Sequence, residues 1–232
     1  MSTQLHLPIR LRDSASLDNF FPGGNEEVLS VLEAWPSYDD GARLLFLHGA
    51  SGSGRSHLLQ AVCRRVCDQD KPAVYVPARE PDVGAELISQ LNPASVVCID
   101  DLDHVTGVDV WEEAILELYE RLLSSDGSLL IAASQPPLAL GLSLADLATR
   151  LASGGVYRLH PLAEGELPSA MRLRAHRRGL DLPDAVVEYL LRRVPRDSNA
   201  LFDLLDKVDE AAFARQRRLT VPFIKQIEKE KV

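Results

Sequence analysis

Between residues 42 and 161, short apolar runs alternate with stretches of helical periodicity, and this alternation constrains the fold more than any other feature. Each run is continuous in Leu, Ile, Val and Ala, which predicts a buried strand. Such strands, when helices separate them, are typical of a parallel sheet that is covered on both faces. The sequence therefore predicts an α/β fold with a parallel five-stranded sheet, whose strands are ARLLFLHG, AVYVPA, SVVCID, SLLIAAS and VYRLHPL.

The strongest helical pattern is DVWEEAILELYERLLS, at residues 109–124. Asp109 is followed three residues later by Glu112, the spacing of a capping box at a helix start. We therefore expect a helix that begins near Asp109, with these two side chains satisfying its first N–H groups.

The strand pattern stops after Pro161, and four helical patterns follow with short breaks. Acidic residues outnumber basic ones in residues 1–161, whereas basic residues slightly outnumber acidic ones in residues 162–232. Both changes predict a small all-α domain at the C-terminal end. The predicted organisation is an N-terminal arm (1–15), an α/β domain (16–161) and a helical domain (162–232).

Composition excludes several classes of protein. The formal net charge is −9, and an acidic body argues against wrapping duplex DNA. No apolar run approaches membrane-spanning length, and the N-terminus lacks the apolar core of a signal peptide, so we expect a cytoplasmic protein. The cysteines Cys63, Cys67 and Cys98 lack disulfide or zinc-site spacing and are interpreted as small buried hydrophobic residues.

The segment GASGSGRSH follows the first predicted strand directly. Gly49, Gly54, Arg55 and Ser56 match the pattern of a phosphate-binding loop, with arginine where such loops carry lysine. Its glycines allow backbone N–H groups to surround an anion, and the helix that follows adds its positive end. Ser56 would place its hydroxyl on Mg²⁺. The alternative is a plain strand-to-helix turn.

Two carboxylates end the third predicted strand, VVCID, at Asp100 and Asp101. This is the layout of a Walker B segment, in which Asp100 would hold Mg²⁺ directly or through water. Asp101 occupies the place of a residue that orients the attacking water in many ATPases. An Asp pair after a strand is weak alone, because Asp often begins a turn, but it gains weight from the loop upstream.

Together with the helical domain, these motifs resemble the AAA+ module of the DnaA family, and most closely its regulatory members. The segments that carry the resemblance are QLHLP (4–8), FFPGGN (20–25), GSGRSHLL (52–59) and DLATRL (146–151). The resemblance implies a P-loop AAA+ domain at 16–161 and a helical lid at 162–232. DnaA continues into a helix-turn-helix domain where this chain ends, so we expect no sequence-specific DNA binding.

The resemblance also implies functional residues. It implies ADP or ATP with Mg²⁺ as the cofactor, with Ser56 and Asp100 on the metal. It makes Arg150 an arginine finger, which acts on the nucleotide of a neighbouring protein, although a helix-surface arginine is the alternative. His57 would pack near the base. The implied nucleotide-contacting residues are Phe21, Pro22, Gly23, Gly52, Ser53, Gly54, Arg55, Ser56, His57, Asp100, Asp101 and Ser134.

Two positions depart from the family pattern. Ser134 stands where the sensor-1 residue is often Asp, and Asn199 stands where the lid is expected to carry the sensor-2 arginine. A neutral amide cannot balance the charge of a γ-phosphate. These departures, with Arg55 in the loop, argue against efficient hydrolysis by this chain alone.

The N-terminal segment QLHLP resembles the peptides by which bacterial proteins dock on the DNA polymerase sliding clamp. Gln4 offers an amide to a polar pocket, and Leu5 and Leu7 offer apolar anchors to a groove. Pro8 stiffens the peptide. An ordinary N-terminal arm is the alternative.

The leading hypothesis is a nucleotide-bound regulator that, with the sliding clamp, stimulates ATP hydrolysis by DnaA and so inhibits re-initiation of DNA replication. It would act in the cytoplasm at the replisome, and a homodimer is one option for its assembly. The alternative is a self-sufficient AAA+ ATPase, such as a helicase loader or a clamp-loader-like motor. A DNA-binding initiator relative is a third interpretation.

Overall fold

The computed structural model describes residues 15–36, 43–93, 95–194, 198–215 and 217–229, which fall into two compact units. Most of the first unit comes from Asn25–Ala50 and Gly54–Leu159. The second unit combines His160–Val232 with two short segments, Asp18–Gly24 and Ser51–Ser53. No helix in the described ranges is both long and apolar enough to cross a membrane.

The first unit is built on a five-stranded sheet, as predicted. All its strands pair in parallel, in the order β2-β3-β4-β1-β5. The central strands are buried on both faces, which explains their continuous apolar sequence, whereas the edge strand β5 alternates between exposed and covered residues. The strands are β1 Leu44–Gly49, β2 Ala73–Pro77, β3 Val96–Asp100, β4 Ser128–Ala133 and β5 Gly155–Leu159.

Helices cover both faces of this sheet. They are α2 Arg55–Cys67, α3 Ala85–Gln90, α4 Asp109–Leu123 and α5 Ala145–Ala152, and α1 Glu26–Ala34 comes before the first strand. The connection from β1 to β2 runs across the sheet in one direction, and the later connections run in the other. Right-handed crossovers therefore place α2 on one face and α3, α4 and α5 on the opposite face. Phe46, Ile99 and Ile131 of the sheet share a core with Ile115 and Leu118 of α4 on that second face.

The same topology gathers three loops at one edge. Strands β1 and β4 are neighbours, but the connection that leaves β1 and the connection that leaves β4 run toward opposite sides of the sheet. The boundary between these two strands is therefore a topological switch point. Ligands in open parallel sheets bind at the carboxyl ends of strands beside such a point. The loops that follow β1, β3 and β4 begin at this edge.

The second unit is helical, as predicted. Its helices are α6 Leu167–Arg177, α7 Asp184–Arg193, α8 Ser198–Arg215 and α9 Val221–Lys229. Their apolar faces enclose a separate core that includes Met171, Leu190, Leu205 and Ile224. At its margin, Arg174 of α6 and Arg178, the residue after this helix, both lie 2.9 Å from carboxylate oxygens of Asp206 on α8. Paired charges of this kind fix how α6 meets α8, because an unpaired buried charge would be costly.

The predicted capping box at the start of α4 is wrong. The helix begins at Asp109, but the capping residue is Val108 and no side chain caps the first turn. Glu112 is fully buried and accepts backbone N–H bonds from Gly107 at 2.7 Å, Ser143 at 3.1 Å and Leu144 at 2.7 Å. Burial of the carboxylate requires such partners, and the loop before α5 supplies two of them. Glu112 thus ties α4 to the start of α5.

We predict that Glu112→Gln lowers the free energy of unfolding by about 1–3 kcal/mol, because three N–H groups lose a charged acceptor that is itself buried. Urea denaturation followed by tryptophan fluorescence measures this, since Trp35 and Trp111 both belong to the first unit. Glu113→Gln is the matched control, because Glu113 is the exposed neighbour on the same helix. Equal stability of the two variants would contradict the role assigned to Glu112.

Candidate nucleotide-binding site

The loop between β1 and α2 has the backbone of an anion cradle. Gly52 and Gly54 adopt positive φ angles of 79° and 91°, a conformation that costs glycine least. Gly54 is the N-cap residue of α2 and has no side chain that could accept a hydrogen bond. The N–H groups in the first turn of α2 therefore receive no side-chain acceptor from the cap. The positive end of α2 adds to the attraction for an anion.

Two polar atoms of this loop segment are buried and have no hydrogen-bond partner among the described residues. They are the hydroxyl oxygen of Ser53 and the Nη1 atom of Arg55. Buried donors are nearly always hydrogen-bonded in folded proteins, so these atoms call for an acceptor. Phosphate oxygens are acceptors of the required charge and geometry. The residues present therefore fit a bound phosphate group.

Arg55, the first residue of α2, lies between two carboxylates. Its Nη2 atom is 3.7 Å from Asp101 Oδ1, and its Nη1 atom is 3.8 Å from Asp103 Oδ2. The side chain is only 13% exposed. At these distances Arg55 forms an ion pair with each carboxylate but no hydrogen bond. Arg79, a more exposed side chain, also pairs with Asp101: its Nε atom lies 3.5 Å from Asp101 Oδ2.

Asp100, the last residue of β3, is buried and held on both carboxylate oxygens. The Tyr75 hydroxyl donates to Oδ2 at 2.7 Å, and the backbone N–H of Asp101 donates to Oδ1 at 2.9 Å. Gln60 of α2 donates in turn to the Tyr75 hydroxyl at 3.2 Å. Burial, and then the charge of Asp100, raise the pKa of Tyr75, which keeps its hydroxyl a donor. The predicted metal ligand is thus fixed by a neighbouring strand.

Asp101 follows in the left-handed conformation, with φ at 55°. Burial is the main cause that raises its pKa, and the charge of Asp100 adds to it. Arg79 and Arg55 oppose the shift. A carboxylate with an unfavourable environment and specific charged partners is typical of functional sites.

Ser134 follows the last residue of β4 and is bound to Asp103. Its backbone N–H donates to Asp103 Oδ1 at 2.8 Å and Oδ2 at 3.0 Å, and its hydroxyl also donates to Oδ1. Asp103, in the short 3-10 turn Leu102–His104, was missed by sequence reasoning. The signal available was an additional acid two residues after the Asp pair. Arg55, Asp101, Asp103 and Ser134 form one polar cluster, which we call the strand-end cluster.

Other predicted residues lie around the loop or in the second unit. Ser56 and His57 are in the first turn of α2, and His57 Nε2 is 2.9 Å from the carbonyl oxygen of Ser16. This contact supports a packing role for His57. The candidate base contacts Phe21, Pro22 and Gly23 group with the second unit. Asn199 is a residue of α8 there.

Arg150 lies in the last turn of α5, outside the strand-end cluster. Its Nε atom is 3.3 Å from Asp146 Oδ1, its Nη2 atom is 4.0 Å from Glu120 Oε1, and its guanidinium is 5.8 Å from the centre of the Tyr119 ring. The side chain is 40% exposed. The guanidinium is therefore held in place at the surface yet accessible to a partner. The clamp-binding peptide, Gln4 to Pro8, falls outside the described residues.

Comparison with known proteins matches both units. Residues 164–227 match the family model of the Hda lid domain. Domain III of the Thermotoga maritima replication initiation protein DnaA superposes with a TM-score of 0.71 at 20% identity, covering 96% of this chain and 98% of that one. AMPPCP-bound DnaA from Aquifex aeolicus gives 0.65 at 17% identity, over 95% and 70% of the chains. The Thermotoga maritima RuvB Holliday junction branch migration motor gives 0.61 at 18% identity, over 91% and 70%.

The sheet, the phosphate-loop geometry and these neighbours define an AAA+ fold with a helical lid. Residues 164–227 match the Hda lid model, and the chain shares its fold with domain III of DnaA. Both the fold class and the family resemblance predicted from the sequence are confirmed.

We predict that Asp101→Asn raises the free energy of unfolding at pH 8. The raised pKa means that the folded protein binds this proton more readily than the unfolded chain. Stability therefore falls as the pH rises between the two pKa values, and the cost is fully present above them. Asn is uncharged and tolerates the left-handed conformation. The gain over wild type should shrink as the pH is lowered toward about 4, the ordinary pKa of Asp.

Urea denaturation at several pH values tests this expectation. Asp126→Asn is the control, because Asp126 is an exposed partner of Arg43, and surface ion pairs contribute little. A loss of stability in Asp101→Asn at pH 8 would mean that the pairs with Arg55 and Arg79 outweigh the burial of the carboxylate.

Proposed function

We propose that this chain is a nucleotide-bound regulator of DNA replication. It binds ADP, or ATP, with Mg²⁺ in the loop after β1 and, with the DNA polymerase sliding clamp, stimulates ATP hydrolysis by the initiator DnaA. Conversion of DnaA to its ADP-bound form then inhibits re-initiation. The observation that carries the proposal is the exposed guanidinium of Arg150 on an Hda/DnaA-like AAA+ protein. The protein would act in the cytoplasm, at the replisome.

Nucleotide binding is supported by the unsatisfied polar atoms of the loop. Ser53 Oγ and Arg55 Nη1 would hydrogen-bond phosphate oxygens, alongside the backbone N–H groups around Gly52 and Gly54. Ser56 would place its hydroxyl on Mg²⁺, which supplies charge neutralisation to the phosphates. Because both oxygens of Asp100 already accept hydrogen bonds, we propose that it reaches the metal through water. The base contacts are assigned to Phe21, Pro22 and Gly23 by resemblance.

Hydrolysis by this chain alone is expected to be slow. Asp101, at the position that would orient water, is engaged with Arg55 and Arg79 instead. Ser134 supplies a neutral hydroxyl at the end of β4, and Asn199 replaces the expected arginine of the lid. Brisk steady-state turnover by the purified chain would instead favour a self-sufficient ATPase of the helicase-loader or clamp-loader kind.

Arg150 supplies the proposed chemistry in trans. Arginine is always charged, and its fork can donate two hydrogen bonds to phosphate oxygens. Its ion pairs with Asp146 and Glu120 are both exposed, and such pairs contribute little free energy. Breaking these two ion pairs so that Arg150 can bind a phosphate therefore costs little free energy. Arg150 would stabilise the negative charge that develops on the γ-phosphate of DnaA-bound ATP during hydrolysis.

We predict that Arg150→Ala abolishes stimulation of DnaA ATP hydrolysis, with a fall of at least ~100-fold, since an arginine supplied in trans contributes ~10³–10⁵ to such rates. The assay is phosphate release from DnaA with clamp-loaded DNA. Arg192→Ala is the matched control, because Arg192 is also in the last turn of a helix and pairs with an acid four residues earlier. An Arg150→Ala protein that stimulates normally would refute the finger.

Clamp docking is proposed for residues 4–8, where Gln4, Leu5, Leu7 and Pro8 match the clamp-binding peptide. We predict that Gln4→Ala/Leu5→Ala eliminates retention on immobilised sliding clamp and leaves the urea denaturation curve unchanged. His6→Ala is the control, because His6 occupies the variable position of the motif. Retention of the double variant at the wild-type level would remove the docking claim.

A further inference from the structure

We propose that Asp103 is a positioning residue of the nucleotide site: it neutralises Arg55 when no phosphate is bound and limits nucleotide affinity when one is. This inference rests on the proposed nucleotide binding at the loop after β1. Asp103 belongs to none of the motifs read from the sequence, and the structure alone links it to the site.

The carboxylate of Asp103 is held from the β4 side. Both of its oxygens accept the backbone N–H of Ser134, at 2.8 and 3.0 Å, and Oδ1 also accepts the Ser134 hydroxyl. Because Ser134 directly follows Ala133, the end of β4, the position of the carboxylate is set by the sheet. A carboxylate fixed in this way cannot move aside at low cost when another anion arrives.

The same carboxylate faces the cation of the phosphate loop. Asp103 Oδ2 lies 3.8 Å from Arg55 Nη1, the atom that is buried and has no hydrogen-bond partner among the described residues. Asp101 lies 3.7 Å from the other terminal nitrogen. The charge of Arg55 is thus balanced by two acids, while its Nη1 atom still lacks a hydrogen-bond acceptor among the residues that the structure describes.

Phosphate would compete with these acids on different terms. A phosphate oxygen can form a charge-assisted hydrogen bond to Nη1 at about 2.7–2.9 Å, which neither carboxylate makes. Arg55 would then exchange ion pairs for hydrogen bonds. Asp103, anchored by Ser134, would keep its negative charge near the bound anion. Repulsion between like charges in a partly buried site is only weakly screened, so this residue should weaken nucleotide binding.

Asp103→Asn separates charge from anchoring. The amide oxygen of Asn can still accept the Ser134 N–H, whereas the negative charge beside Arg55 is removed. We expect the Kd for MgADP, measured with a fluorescent ADP analogue, to fall by about three- to tenfold, the change that corresponds to losing one weakly screened charge pair. Asp103→Ser, which also removes the charge, should shift the Kd in the same direction.

Glu80→Gln is the matched control. It removes one negative charge from a nearby exposed acid, which lies 3.6 Å from Arg79 and does not pair with Arg55. We expect its Kd to stay within about twofold of wild type, because exposed charges are screened by salt. An equal gain in Asp103→Asn and Glu80→Gln would show a general charge effect and overturn the proposal.

A double-mutant cycle with Arg55→Gln tests the link directly. In the Arg55→Gln background, Asp103→Asn should lower the Kd by a smaller factor than it does in wild type, because only the repulsion between Asp103 and the bound anion then remains. The same four proteins without nucleotide should also show non-additive urea stabilities, which provides a readout independent of binding. Additive effects in both measurements would overturn the proposal.

The outcomes also separate this inference from the proposed function. If wild type binds MgADP and Asp103→Asn binds equally or more weakly, the role of Asp103 is refuted while nucleotide binding stands. If wild type binds no MgADP, the nucleotide-binding proposal fails, and this inference fails with it.

Discussion

The handedness of the strand connections is the constraint on which the first unit depends. Because β1 connects toward one side of the sheet and β4 toward the other, right-handed crossovers place α2 opposite α3, α4 and α5. The loops that follow the central strands must then begin at one edge. Arg55 at the start of α2, Asp101 after β3 and Ser134 after β4 meet there without any long excursion of the chain. Sheet topology thus brings together the groups of the strand-end cluster.

That edge is stabilised by charge balance at some cost. Asp100 accepts a hydrogen bond from Tyr75. Burial and the charge of Asp100 disfavour the ionised form of Asp101, and Arg79 and Arg55 only partly offset the resulting rise in its pKa. Asp103 completes the balance from a position held by Ser134. The result is a loop cation that is neutralised, although its Nη1 atom has no hydrogen-bond partner in the described part of the chain. This arrangement suits a cation that holds a bound phosphate. It suits phosphoryl transfer less well, because there the cation must follow the migrating group.

Local patterns predicted much of this structure. The five strands, the strand-to-helix loop and the Asp pair were readable because each depends on a short contiguous segment. The role of Glu112 was not, because its partners Ser143 and Leu144 are about thirty residues away and its spacing imitates a capping box. Asp103 escaped notice because its importance arises only when β3 lies beside β4. The grouping of residues 18–24 with the helical unit likewise depends on contacts that no local pattern encodes.

The central claim is that hydrolysis occurs in DnaA and not in this chain. A single-turnover experiment tests it most directly: DnaA is loaded with γ-labelled ATP, free nucleotide is removed, and this chain with clamp-loaded DNA is added. We predict that label is released from DnaA faster by a factor on the order of 100 or more. An unchanged release from DnaA, together with rapid turnover when this chain alone is loaded with ATP, would contradict the account.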